Sequence, residues 1–345
     1  MERAESHGVS DGRREVWRMQ PFWACVLVAP LIWWTANRGY VADTGMYIKM
    51  YGELPSELSK IRHYMAQVNK DEGFYFMSAL LKALGIKSVR LYFLIVATVQ
   101  GWLLFRMYRK YSPKFVVSFF LFIASTDYIS WMFNGMRQFV AVTITVLAFD
   151  FILEKKYIRA ILIILLASLF HQSALLMIPF VFITQGKAWN KKTLLFIVVI
   201  VLAVAYVDRF TDILENMLQE TQYENVVSDW NEWGDDGTNL LRVLVYSVPA
   251  VLSLIGLKYI KAENSPLINI CTNMAIVSAG FYVLSMFTSG IFIGRLPIYF
   301  SLYGYILLPW EIENMFEEKS AVLVNLAMVG AYLVFYVLQI KSWGL

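Results

Sequence analysis

The chain alternates long apolar runs with short polar breaks. A helix needs about 20 mostly apolar residues to cross a hydrocarbon core, and fewer at thin or re-entrant places. Windows almost free of charge recur at 19–37, 91–105, 115–133 (interrupted only by Asp127), 139–149, 160–170, 172–183 and 193–207. They continue at 243–257, 264–294, 296–310 and 320–340. The pattern predicts an all-α polytopic membrane protein of about 10–11 transmembrane segments. Residues 1–18 form a polar tail with Arg3, Arg13, Arg14 and Arg18, and 19–345 read as one membrane domain without repeats or linkers. Trp33-Trp34 and the lack of a small-residue cleavage site make the first apolar run a retained anchor rather than a signal peptide.

Lysine and arginine in short loops set orientation. With the tail cytoplasmic and 160–183 folded as a hairpin bent near His171, most short-loop basic residues fall inside. Were 160–183 a single span, Lys187, Lys191 and Lys192 would move outside, against that bias. The hairpin arms are short, so the bend must open into a cavity or lie within protein. Segments 38–90 and 208–239 are then extracytoplasmic. The first holds an amphipathic piece, 74–84, too short to span and suited to the interface. The second carries nine Asp/Glu against Arg209, with Tyr223, Trp230 and Trp233 among them. It reads as a solvated loop with interfacial aromatic anchors, or as a cap whose rings stack on sugars.

Composition supports the same class. Of 345 residues, 58% are hydrophobic and only 16% charged, where soluble domains carry about 25% charged residues. The net charge of +4 is spread between apolar runs and offers no stripe for nucleic acid. Cys25 and Cys271 lie inside apolar runs, with neither a disulfide framework nor metal-ligand spacing. No phosphate-binding glycine loop, nucleophile elbow, zinc-binding histidine motif or carboxylate cluster for a divalent metal is present, so no metal is expected.

Polar groups at the ends of spans are costly and commonly face a cavity or a partner. In Asn134-Gly135-Met136-Arg137-Gln138, a turn almost without a loop holds Arg137 at the mouth of a helix pair, its planar donors matched to phosphate or carboxylate. In Phe170-His171-Gln172-Ser173, His171 at the hairpin bend has Ser173 beside it and can act as donor, base or proton shuttle. In Gly290-Ile-Phe-Ile-Gly294-Arg295-Leu-Pro297, the glycines allow backbone to approach an anion and Arg295 supplies the cation. Asp43 and Tyr47 share a helix face at i,i+4. In Asp71-Glu72-Gly73-Phe74, the acids head the amphipathic piece, where capping explains a carboxylate as well as catalysis does. Asp127 could pair with Arg137, and Arg242 at the start of a span could anchor to headgroups. Snorkelling arginines and a helix-packing histidine remain the bland alternatives.

At these residues the sequence resembles the EpsG family of Wzy-like polysaccharide polymerases. The likeness rests on Asp43…Tyr47, Asp71-Glu72-Gly73-Phe74, Asn134-x-x-Arg137-Gln138-x-x-Ala141, Phe170-His171-x-Ser173-Ala174-Leu175 and Gly294-Arg295-x-x-x-Tyr299-Phe300, in that order, over about residues 20–340. It departs at Gly73, where family members often have proline. The resemblance implies a multi-pass enzyme of the bacterial inner (plasma) membrane, with an architecture like that of GT-C membrane glycosyltransferases and an extracytoplasmic cavity. Its substrates would be undecaprenyl-diphosphate-linked oligosaccharides, joined without metal or other cofactor. Besides that substrate and membrane lipid, the partners implied are a flippase and a chain-length regulator. Arg137 and Arg295, helped by Gln138, Ser173 and Arg242, would hold diphosphates. His171 would contact the reacting region, and Asp43 or Glu72 would activate the acceptor hydroxyl. A flippase for the same lipid-linked oligosaccharide, an O-antigen ligase-type transferase and a membrane acyltransferase stay open as alternatives.

Overall fold

The computed structural model describes residues 2–4, 17–218, 224–232 and 234–344; Arg13, Arg14, Tyr223 and Trp233 lie outside them. Apart from a short antiparallel ladder of β1 (Glu2–Ala4) with β2 (Trp17–Met19), the described residues form helices and their connections. In chain order these are α1 (Pro21–Ala36), α2 (Thr44–Glu53), α3 (Leu58–Met65), α4 (Glu72–Ala83), α5 (Val89–Tyr111), α6 (Phe115–Ala124), α7 (Met136–Leu153) and α8 (Tyr157–Ser168). There follow α9 (Met177–Ile183), α10 (Lys191–Ala205), α11 (Val207–Leu218), α12 (Val226–Glu232), α13 (Leu240–Ile255), α14 (Leu257–Glu263), α15 (Pro266–Met286), α16 (Ile298–Met315) and α17 (Glu318–Ser342).

The chain is an all-α polytopic membrane protein. Among the described residues, α5, α7, α15 and α17 are each long and apolar enough to cross a bilayer. Three further bent pairs qualify jointly, and Pro21–Ala36, Tyr157–Ser168 and Gln172–Ile183 are shorter apolar helices. Helix starts follow local chemistry. Pro21 and Pro266 sit in first turns, where a missing N–H costs nothing. The Asn190 side chain accepts from the Lys192 and Thr193 amides at 2.8 and 3.2 Å, and Asn239 accepts from Leu241 at 2.8 Å.

Residues 115–133 differ from the single straight span expected of them. The chain stops at Ala124, passes Thr126 in a left-handed conformation (φ 59°), and resumes as a π-helical turn over Tyr128–Asn134 bent 70° from α6. Fully buried Asp127 lies at that bend, beside Tyr332. A polar residue and a left-handed backbone break the helical ladder that hydropathy alone would continue, and π-turns often mark functional sites.

The chain divides into two compact units: residues 1–176 with 319–345, and residues 177–318. In the first, α1 packs on α5, α5 on α7 and α7 on α8. Helices α2 and α4 close over a core of Tyr47, Tyr51, Phe74, Tyr92, Phe93 and Met136. Tyr51 and Tyr92 stack at 4.1 Å, and Ser78 bonds the Tyr92 hydroxyl at 2.9 Å. Segment 38–90 is thus three ordered helices, with α4 burying Phe74, Ser78 and Ala79. In the second unit, α15 packs against α10, α13 and α16. Asn269 and Asn273 of α15 accept from the Ala188 and Trp189 amides at 3.0 Å each, fixing the loop before α10.

Candidate functional site

In the first unit the chain turns at Asn134-Gly135, and α7 opens with Met136 and Arg137. Arg137 therefore lies on a first helical turn, where free N–H groups and the helix dipole favour an anion. Its Nη1 lies 2.9 Å from Oδ2 of Asp71, which is 4% exposed against 24% for the arginine. The same Nη1 donates to the Tyr75 hydroxyl at 3.4 Å, and the guanidinium sits 5.9 Å from the centre of that ring. Tyr47 links the turn to α2, because its hydroxyl donates to the Asn134 carbonyl at 3.2 Å and accepts the Arg137 backbone N–H at 3.4 Å. With its amide oriented to satisfy both groups, Asn134 donates to the two Asp43 carboxylate oxygens at 3.1 and 3.0 Å.

The Asp71 loop is held in place by an unusual backbone. Asp71 is left-handed (φ 51°) just ahead of α4, and the Gly73 N–H donates to the Leu169 carbonyl at 2.7 Å. A Cβ at Gly73 would fall 2.9 Å from both Leu169 Cβ and that carbonyl oxygen, which explains glycine at this position. The start of α4 is thereby pressed against the break that follows α8. In that break His171 Nδ1 and Ser173 Oγ are 2.7 Å apart, and the Gln172 N–H faces the Asp71 carboxylate. Burial pushes the Asp71 carboxyl above its ordinary value, while Arg137, Lys70 and the Gln172 N–H oppose the rise.

The first unit accordingly brings together Asp43, Arg137 and the segment carrying His171 and Ser173. Gln138 is buried on α7 one residue further on. Glu72 is exposed and opens onto a cleft shared with Arg62 and Leu169; the acid that reaches Arg137 is its neighbour, Asp71. Asp71, rather than Asp127, is the acid that pairs with Arg137. Arg38 follows directly on the first apolar run, 19–37. It is buried, donates to the Met132 carbonyl and lies 4.1 Å above the Phe93 ring, bracing the π-turn ahead of Arg137. Its position directly after an apolar run was the available signal.

In the second unit, Arg295 ends a 3₁₀ turn, Ile293–Arg295, after α15. The loop before it was expected to receive an external anion. Its amides instead surround the chain's own Asp235 carboxylate, which accepts from Ser289 Oγ at 2.5 Å and from the N–H groups of Ile291, Gly290 and Gly237 at 2.9, 3.0 and 3.1 Å. A Cβ at Gly290 would fall 2.9 Å from the Gly237 carbonyl, so this glycine serves loop-to-loop packing. Burial would raise the Asp235 carboxyl, but the bonds from Ser289, Ile291, Gly290 and Gly237 outweigh it and hold the group below its ordinary value. Arg242 stands on the first turn of α13, 5.9 Å from the Tyr246 ring. Trp230 is neither an interfacial anchor nor an open sugar platform. It is 6% exposed and packs with Val227, Ile200, Leu284 and Ile293.

A family model described as the EpsG family matches residues 22–343. No curated protein and no solved structure matches the chain.

Proposed function

The chain belongs to the EpsG family, which gives it a general role as a polysaccharide polymerase, and from that premise we propose a Wzy-type membrane glycosyltransferase acting at the extracytoplasmic face of the bacterial inner membrane. Its donor is an undecaprenyl-diphosphate-linked oligosaccharide, and its acceptor is the terminal sugar of a second lipid-linked repeat unit. The acceptor hydroxyl oxygen attacks the anomeric carbon of the donor, the bond from that carbon to the diphosphate oxygen breaks, and undecaprenyl diphosphate leaves.

Charge develops on the leaving diphosphate, and a preorganised guanidinium at a helix N-terminus stabilises it. Arg137 is that group. Its fork is already aimed by Asp71 and Tyr75, and its turn by Tyr47. His171, oriented by Ser173, contacts the phosphate or donates to it. Asp43, carried by the Asn134 amide on the same turn, takes the acceptor proton, with Asp71 the nearer substitute than Glu72. In the second unit, Arg295 and Arg242 are further cationic groups suited to bind a diphosphate. No step needs a metal, because the arginines do the work of charge stabilisation.

The observation that carries this reading is the Asp71–Arg137 pair abutting the segment that bears His171. A neutral structural turn would have no use for a guanidinium left a quarter exposed beside two tyrosines. Turnover of purified lipid-linked repeat unit by the protein in nanodiscs, followed by glycan chain length, tests it. Arg137→Ala should insert normally yet leave single repeat units on lipid; polymer of normal length from this variant would refute the assignment.

A further inference from the structure

Beside the Arg137 site, the first unit has a second concavity that the chemistry above does not use. Helices α2 and α3, the 66–70 connection and α4 enclose a cleft of about 500 Å³, within the roughly 300–1,000 Å³ typical of small-molecule sites. Two tyrosine rings, Tyr64 and Tyr75, are half-buried in its walls, and Met46 and Met50 supply further apolar surface. Between them Gln67, Asn69, Lys49 and Glu53 present both donors and acceptors to the same space. Tyr64, Tyr75 and Glu53 all line this one volume.

The cleft adjoins the phosphate end of the proposed site through one shared side chain. Tyr75 is at once one of its walls and the hydroxyl that accepts from Arg137 Nη1 at 3.4 Å. Lys70 lines it and is next in sequence to Asp71. A molecule held by Arg137 through a diphosphate would therefore extend its next few atoms into this cleft. In such a substrate those atoms are a sugar or an isoprenoid. An isoprenoid would need an apolar groove, whereas two aromatic faces among amides, cations and a carboxylate match a pyranose, with its C–H faces and hydroxyl rim.

We propose that this cleft is a saccharide subsite that holds the sugars adjoining the diphosphate of the lipid-linked repeat unit. The proposal rests on reading Arg137 as a diphosphate ligand. Tyr75 joins the two parts, Tyr64 stacks on a ring, and Gln67 and Asn69 read hydroxyls. Gln67 and Asn69 are exposed, so truncating them leaves the core intact.

The test uses the full chain in nanodiscs with two probes: lipid-linked repeat unit extracted from a strain lacking this polymerase, and undecaprenyl diphosphate without sugar as a competitor. For Gln67→Ala with Asn69→Ala, and separately for Tyr64→Leu, KM for the repeat unit should rise about tenfold, the weight of one or two hydrogen bonds. In both variants kcat and inhibition by undecaprenyl diphosphate should stay at wild-type values, whereas Arg137→Ala should weaken that inhibition. Unchanged KM in the cleft variants, with Arg137→Ala impaired, would overturn the subsite alone. Equal loss of undecaprenyl diphosphate inhibition in the cleft variants would make the cleft a lipid or phosphate groove. Wild-type turnover in Arg137→Ala would remove the underlying reading, and the subsite with it.

Discussion

The carboxylate of Asp71 lies 2.9 Å from the guanidinium of Arg137, joining the loop ahead of α4 to the first turn of α7. The pair is only partly wet, and burial is the largest influence on Asp71, driving its carboxyl upward against the pull of Arg137. The folded chain therefore binds that proton more tightly than the unfolded chain. Stability should decline as pH rises from the ordinary aspartate value through the raised one, because in that interval the native state carries the extra proton. Asp71→Asn should remove this limb from a plot of melting temperature against pH. An amide resembles the protonated carboxyl, so at neutral pH Asp71→Asn should be no less stable than wild type, while turnover should fall because Arg137 loses the group that aims it. A variant whose acid limb matches wild type would show that another group titrates there.

Gly73→Ala tests whether the contact between α4 and the His171 segment matters. The added methyl would meet the Leu169 carbonyl oxygen and Cβ at 2.9 Å, both close to backbone and unable to swing away. Overpacking of this kind costs roughly 1–3 kcal/mol. The strain is relieved by moving residues 169–173, so turnover should drop more than tenfold while substrate KM changes little. Thermal unfolding in detergent and single-turnover polymerisation read the two effects separately. Wild-type turnover with lowered stability would detach the His171 segment from the chemistry.

Hydropathy made the helical class legible, since apolar windows such as 91–105 and 320–340 sit within α5 and α17. It failed at 115–133, because a left-handed Thr126 and a buried Asp127 leave no trace in an average over side chains. The Arg137 turn was legible because an arginine between two spans with almost no loop is costly unless it is used. Asp71 was harder to tell from Glu72. Adjacent acids ahead of a helix look alike in sequence, and only the left-handed backbone at Asp71 decides which one turns inward. In 289–295 the glycines suggested an anion nest; the N–H groups of Gly290 and Ile291 do hold an anion, whereas that of Gly294 bonds the Ser289 carbonyl. The anion is Asp235, whose distance along the chain hid it.

Asp235 should behave oppositely to Asp71 on titration. Four donors hold its carboxyl below the ordinary value, although burial alone would raise it. The stability these bonds give is present above the unfolded aspartate pKa and is lost as pH falls toward the depressed one. Asp235→Asn replaces one accepting oxygen by a donor facing backbone N–H groups, and should cost about 2–3 kcal/mol. Because the carboxylate shapes the loop that ends at Arg295, the variant should also weaken competition by undecaprenyl diphosphate severalfold. Melting curves across pH, with the inhibition constant measured alongside, check both statements. A melting temperature for Asp235→Asn equal to wild type at neutral pH would contradict the first.

Trp230 separates a packing role from a sugar-binding one. Its indole is buried among Ile200, Leu284 and Ile293, with Phe210 and Phe292 at the edge of the cluster. Deleting a large buried aromatic removes its transfer free energy and leaves a cavity, together about 3–5 kcal/mol for tryptophan to alanine. Trp230→Phe refills most of that volume and should recover more than half of the loss. If packing is the role, the KM for lipid-linked repeat unit, measured well below the melting temperature, should be the same in wild type and Trp230→Phe. A stacking platform on the substrate would give the reverse: a stable Trp230→Ala protein with a raised KM. The apolar environment of the indole also predicts a blue-shifted tryptophan emission contribution that does not change on adding substrate. Difference spectra between wild type and Trp230→Phe, with and without repeat unit, would reveal any such change and return Trp230 to the binding surface.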